Sequence, residues 1–259
     1  YVQSITEIID AKLRYPYSAV VGIALDAQQF RSIPQRAYRV KGRIIRIPTN
    51  YDPVTRTYTG VWDGTFKLGW TNNPAWIYYD MATNRRYGLG RRIDESRIDK
   101  WSLYKIAQYC DELVPDGKGG MEPRFTCTVY LQQKADAYKV MQDLASVFRG
   151  ISYWAGGAIV GLADQPEDPV YTYTNANVKD GKFIYNGTGR KARHTKALVS
   201  WTNLDNLGKG EVVPVIDEEG ILRYGIQPTN VTAFGATSES QAQRVGRWIL
   251  ASELLETDA

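Results

Sequence analysis

Residues 59–90 read TGVWDGTFKLGWTNNPAWIYYDMATNRRYGLG, and this stretch restricts the possible folds more than any other. It carries three of the seven Trp, three of the 18 Tyr and five of the 23 Gly. Asp63-Gly64 and Asn73-Pro74 are strong turn signals. Large rings beside tight turns need a fold whose corners close over them, or a partner that does so. Three readings stay open for Trp62, Trp70, Trp76, Tyr78 and Tyr79. They fill packed corners with their polar tips on nearby carbonyls, they anchor a subunit interface, or they form an exposed platform that stacks on sugar rings.

The rest of the composition mainly excludes. With 259 residues, 43% of them hydrophobic and 23% charged, the chain has an ordinary globular balance. A net charge of +4 is too small to argue for nucleic acid unless it is clustered. Two cysteines, Cys110 and Cys127, make neither a disulfide framework nor a zinc site, and are read as reduced and buried. The single histidine, His194, leaves no room for a His-rich metal site. There is no run of about 18 apolar residues to span a bilayer, and no signal peptide is visible. The absence of an initiating Met suggests a piece of a longer polypeptide.

Periodicity gives a mixed, β-rich pattern. SITEIIDAKL (4–13) has the Ser4/Glu7 spacing of a capping box. YPYSAVVGIAL (15–25) and AYRVKGRIIRI (37–47) read as strands; in the second, Tyr38, Val40 and Ile44 alternate with Arg39, Lys41 and Arg43. TRTYTGVW (55–62) is a further strand. Residues 85–100 carry six basic and three acidic side chains and read as a connector. A helix follows, capped by Asp99, with Leu103, Ile106, Ala107, Cys110, Leu113 and Val114 on one face. RFTCTVYL (124–131) reads as a strand. ADAYKVMQDLASVFRG (135–150) is the clearest helix, and ISYWAGGAIVGLA (151–163) a hairpin around Gly156-Gly157. QPEDPVYTYTNANV (165–178) is a loop passing into a strand, KALVSWTNL (196–204) a strand, and EVVPVIDEEGILRYGI (211–226) two strands about Glu219-Gly220. A helix capped by Ser238 or Ser240 ends the chain. Strands and helices do not alternate regularly, so the expected class is α+β and β-rich rather than a doubly wound sheet.

No catalytic constellation emerges. G-x-S-x-G, H-E-x-x-H, Walker A and C-x-x-C are all missing. GTGRK (187–191) lacks the third glycine of a dinucleotide loop. Arg190, Lys191, Arg193, His194 and Lys196 form the densest basic patch, read either as an acidic-partner contact or as a solvated hairpin tip. Asp217, Glu218 and Glu219 are read as a turn rather than a calcium site. No enzyme activity, cofactor or metal is expected.

The order KGRIIRIPTNYDP, YTGVWDGTFKLGWTNNPAWIYYDMATNRRYGLG, DKWSLYKIAQYCDELV and FTCTVYLQQKADAYKVMQDLASVFRGISYW resembles the tip attachment (host specificity) J proteins of lambda-like siphophages and prophages, over essentially the whole chain. The resemblance implies a tail-tip virion protein assembled in the host cytoplasm. It implies a homotrimeric hub built of β-barrel tube pieces with interspersed helical and α+β domains. Residues 1–84 would be a β-rich hub or tube-type region, 85–125 a connector and helical segment, 126–200 an α+β domain, and 201–259 a β segment returning to the hub with a C-terminal helix. Implied partners are other tail-tip and tape-measure proteins, and DNA passing through the lumen without specific binding. The host outer-membrane receptor would be met only by regions outside this chain, and the family brings no catalytic residues. The alternative is a module that binds host receptor or glycan through the aromatic stretch. A lumen that lets DNA slide should avoid dense Lys and Arg, so the connector 85–100 and the 190–196 patch are expected to face outward.

Overall fold

Asn73 and Pro74 start the helix around which the first half of the chain is organised. The computed structural model describes residues 18, 20–26, 28–30, 32–36, 38–131, 136–155, 158–184, 189 and 193–255. Packing divides the chain into Tyr1–Tyr38 and Arg39–Ala259. In the first unit, Asp26 turns the chain by accepting from the Gln28 and Phe30 N–H groups, and Val20, Val21 and Ile33 stay exposed.

The second unit opens with four short strands, β1 (Ile45–Pro48), β2 (Tyr51–Asp52), β3 (Thr57–Tyr58) and β4 (Phe66–Gly69). β1 pairs antiparallel with β4, and β2 with β3. Helix α1 (Pro74–Thr83) follows. The Asn73 side chain accepts from Ala75 N–H, and proline at the first helical position gives up a donor that had no partner. Apolar and aromatic side chains surround most of this helix, so it is a buried one. Its end is closed by the loop 84–90, where Leu89 N–H donates to the Met81 carbonyl and Gly90 N–H to that of Asn84. A Cβ on Gly88 or Gly90 would lie 2.0 Å from the Met81 or Thr83 carbonyl oxygen respectively. Only glycine permits that approach.

Helix α2 (Lys100–Asp111) is capped by Asp99, which accepts from Trp101 and Ser102 N–H, and it buries Leu103, Ile106, Ala107 and Cys110. The hairpin β5 (Leu113–Pro115) and β6 (Met121–Pro123) then leads to α3 (Ala137–Ser146), capped by Asp136. The hairpin β7 (Gly150–Ala155) and β8 (Ala158–Ala163) completes this part. The first core runs from Ile45 to Phe148 in sequence.

A second, smaller core lies C-terminal. Strands β9 (Lys196–Asn203) and β10 (Lys209–Ile216), helix α4 (Glu218–Tyr224), strand β11 (Pro228–Thr232) and helix α5 (Glu239–Leu255) build it. The sheet order is β10-β9-β11, with β10 antiparallel and β11 parallel to β9. Alternate residues Ala197, Val199, Val213 and Val215 face α5. At Gly246 the helix comes so near that a Cβ would stand 2.8 Å from Val199 and Val215 methyls.

Several expectations are corrected. The architecture is mixed α/β with two- and three-stranded sheets, and none closes into a barrel among the described residues. Residues 38–44 and the described residues of 18–25 form no strand, because no neighbouring strand offers them a ladder. TRTYTGVW keeps only Thr57–Tyr58, since its ends curve around Arg56 and Gly60, both at positive φ. Leu113 and Val114 leave the α2 helix and enter β5. RFTCTVYL lies outside any sheet; its amides bond singly to Glu112, Cys110, Asn72 and Gly235 carbonyls. QPEDPVYTYTNANV contains no strand. The segment after Ile216 is helix α4, not a second hairpin strand: Asp217 stands at its N-cap and Glu218 and Glu219 in its first turn, where helix dipole and carboxylates agree. The expected helix 4–13, the Gly156-Gly157 turn and most of GTGRK lie outside the described residues.

Candidate functional site

The aromatic stretch folds inward. Trp62 stacks on Tyr104 at 4.9 Å between ring centroids and meets Trp76 edge-on at 5.8 Å; Phe66 stacks on Tyr79 at 4.8 Å. Trp62 Nε1 donates to the Thr65 carbonyl at 2.6 Å. Trp76 and Tyr79 are 0% exposed, Tyr78 1% and Trp62 4%. Trp76 Nε1 makes no hydrogen bond of good geometry among the described residues, although its N–H lies near enough to the Tyr58 hydroxyl to act on it. The Tyr78 hydroxyl shares a hydrogen bond with Ser152 of β7. The Tyr79 hydroxyl donates to Glu95, which also pairs with Arg46 at 2.9 Å. Arg46 lies over the Phe66 and Tyr79 rings, closing the cluster from the solvent side. Trp70 differs: it is half-buried, with the Lys41 ammonium 5.4 Å from its ring.

A buried polar group adjoins these rings. Arg56 pairs with Asp111 at the end of α2 and donates to the Asn72 side chain. Tyr58 donates to Asp111 at 2.9 Å. Burial pushes the Asp111 carboxyl above its ordinary value, against the pull of Arg56. Burial and the same carboxylate raise the Tyr51 and Tyr58 phenols. Burial works against the charge on Glu95, but hydrogen bonds from Tyr79 and Arg46 outweigh it and hold its carboxyl low. Cys110 and Cys127 are both free and buried, their thiols raised by burial.

The two cores meet at Phe234, which packs against the first, and along a polar seam on α5. The Gln241 side chain accepts from Thr126 N–H at 3.1 Å and donates to the Thr126 carbonyl at 2.9 Å. Arg244 pairs with Glu122 at 2.6 Å and donates to the Arg124 carbonyl at 2.9 Å. Trp248 Nε1 donates to Asp164 at 2.6 Å.

The basic patch is not a single surface among its described members. Arg193 donates to the Tyr224 hydroxyl of α4 at 2.6 Å, His194 Nδ1 lies 2.9 Å from Glu253 of α5, and Lys196 begins β9. Arg190 and Lys191 lie outside the described residues. No group of three or more potential metal ligands occurs among the described residues. No helix there is long and apolar enough to cross a membrane.

The sequence reading missed α1 and the Arg56–Asp111 pair. The first had a legible signal, an Asn-Pro step placing a cap and a first-turn proline. It was hidden because the Asn-Pro step was read only as a turn and the rings after it only as corner, interface or platform. The second had none, because the partners are 55 positions apart in the chain (111 minus 56).

Comparison with known proteins now bears on the whole chain. It is 46% identical over 257 residues to the tip attachment protein J of Escherichia phage SECphi27, covering 99% of this chain. It is 44% identical over 256 residues to that of Escherichia phage SECphi4, covering 98%. The chain is similar to one segment of phage tip attachment J proteins along nearly its whole length. It spans 22% of the length of these curated relatives. Residues 136–259 also match a family described as "Putative phage tail protein". That match includes α3, the second core and the whole of α5.

Proposed function

We propose that this chain is a non-enzymatic structural segment of a phage tail tip, part of a homotrimeric hub that links tail tube to tip and encloses the path of ejected DNA. One observation carries the reading: the 46% identity across 99% of the chain to a protein named tip attachment protein J. The architecture is compatible with it. Two modest cores are joined by a polar seam, and strand-forming residues are left exposed, as in a segment that is completed by neighbours. Tube-type barrel closure would come from strands of other copies or of the longer polypeptide. Other tail-tip and tape-measure proteins are the natural partners, and the virion is the place of action. The exposed arginines 85, 86, 91 and 92 and the 193–196 region face away from the DNA path in this reading.

A receptor- or glycan-binding module is the other reading, and no specific observation favours it. Rings at 0–1% exposure cannot stack on a sugar, and removing Trp76, Tyr78 or Tyr79 would disturb folding before binding. The deciding experiment is the mass of this chain by light scattering over a wide concentration range. A species near three times 29.2 kDa is expected. A monomer at every concentration would refute trimer contacts within this segment.

A further inference from the structure

We infer that residues 39–44 of one copy pair as a β-strand with residues 170–174 of a neighbouring copy; this rests on the homotrimeric reading above. Residues 39–44, RVKGRI, run directly into β1 and are all exposed. Lys41 and Arg43 lie over Trp70 and Tyr87, at 5.4 and 4.0 Å from the ring centroids. Alternation then turns Val40 and Ile44 outward, and they are 76% and 67% exposed. Residues 170–174, VYTYT, are likewise exposed strand formers: Val170 is 94% and Tyr173 67% exposed. Tyr171 and Tyr173 already share one side, their rings 4.8 Å apart. Among the described residues, the backbone groups of 39–44 and the N–H groups of 170–173 make no hydrogen bond. In 170–174 the Thr172 carbonyl and both backbone groups of Thr174 are bonded to Asn177, which leaves the N–H groups of 170–173 and the Tyr171 and Tyr173 carbonyls open. Open backbone of strand-forming composition recruits strands.

Charge selects the occupant. Pairing of 39–44 with its own copy would bring Arg39, Lys41 and Arg43 against one another, which like-charge repulsion opposes. Residues 170–174 follow directly on the exposed carboxylates Glu167 and Asp168. A contact between two different patches of identical chains is heterologous, and such contacts close into rings when the rotation permits.

The test is the association constant of the intact chain by sedimentation and light scattering. Arg39→Glu with Lys41→Glu should weaken association by about tenfold or more, as should Glu167→Lys with Asp168→Lys. Combining all four in one chain should recover most of the loss. Thr172→Pro changes no charge but removes a donor from the strand, and should also weaken association. All these positions are exposed, so melting followed by circular dichroism should match the parent for the carboxylate reversals and for Thr172→Pro, and should fall slightly for the basic reversal, which gives up the Lys41–Trp70 contact. A trimer insensitive to both reversals and to Thr172→Pro would overturn the pairing and leave the trimeric hub standing. A chain that never associates would overturn the pairing together with trimer contacts in this segment.

Discussion

Replacing Trp76 with alanine tests whether the aromatic stretch is this chain's own core. The ring is 0% exposed and meets Trp62, Phe66, Tyr79 and Tyr104 at centroid distances of 5.8 to 6.3 Å. A buried indole removes about 200 Å² from water, or about 5 kcal/mol at 25 cal/mol per Å². Alanine keeps a small part of that, and the unpaired Nε1–H subtracts about 1 kcal/mol from the native side. The expected cost is about 3–5 kcal/mol, the range found for large-to-small changes in cores. Because it keeps a ring among the same neighbours, Trp76→Phe should cost clearly less than Trp76→Ala. Trp70→Ala should cost about 1–2 kcal/mol, since that ring is half-buried beneath Lys41. Urea unfolding followed by far-ultraviolet circular dichroism measures all three without relying on indole fluorescence. Equal costs for Trp76→Ala and Trp70→Ala would refute the argument. So would lost association at an unchanged unfolding midpoint for Trp76→Ala.

Other expectations follow from the same geometry. Asp111→Ala leaves the Arg56 guanidinium buried without its carboxylate and should cost about 3–5 kcal/mol, while Arg56→Met with Asp111→Leu should recover most of it; denaturation midpoints distinguish the two. Gly90→Ala should lower the melting temperature by several degrees, because its methyl would need the space of the Thr83 carbonyl. Glu95 and Asp99 have depressed carboxyl values in the fold, so their contribution is present above about 4.5 and 3.8 and is lost as pH falls through the lower native values. Glu95→Gln should therefore flatten the loss of stability below pH 4.5 in acid titrations. Asp111 runs the opposite way: its native value is raised, so its contribution grows as pH falls.

Local signals were legible where one short segment carried all the information. The α2 and α3 helices are examples: Asp99 caps the first ahead of its apolar face, and the apolar periodicity of 137–148 with Gly150 as the stop marks the second. The hairpin of β7 and β8 was equally plain, read from the Gly156-Gly157 pair between two apolar runs. Legibility failed where the outcome depended on a distant partner. AYRVKGRII has every mark of a strand, yet a strand exists only if another lies beside it, and just Ile45–Pro48 finds one in β4. RFTCTVYL failed likewise, its amides meeting four separate carbonyls instead of one ladder. At 218–224 the acidic trio suited both a turn and a helix start, and the register of β10 against β9 left the chain positioned for the helix. The rings of Trp62, Trp76, Tyr78 and Tyr79 posed the hardest question, because composition cannot say which side of a boundary a ring faces.

Helix α5 has a mechanical consequence. One flank is held by the valine face of β9 and β10, the other by Gln241, Arg244 and Trp248 reaching Thr126, Glu122, Arg124 and Asp164. These polar links are spread along two turns of one rod. A pull along the helix axis loads them together in shear, so they share the force. A pull across the axis strips them one after another. The same bonds therefore make a joint that is stiff to tension in one direction and compliant in the other, and α5 is the beam that sets which is which.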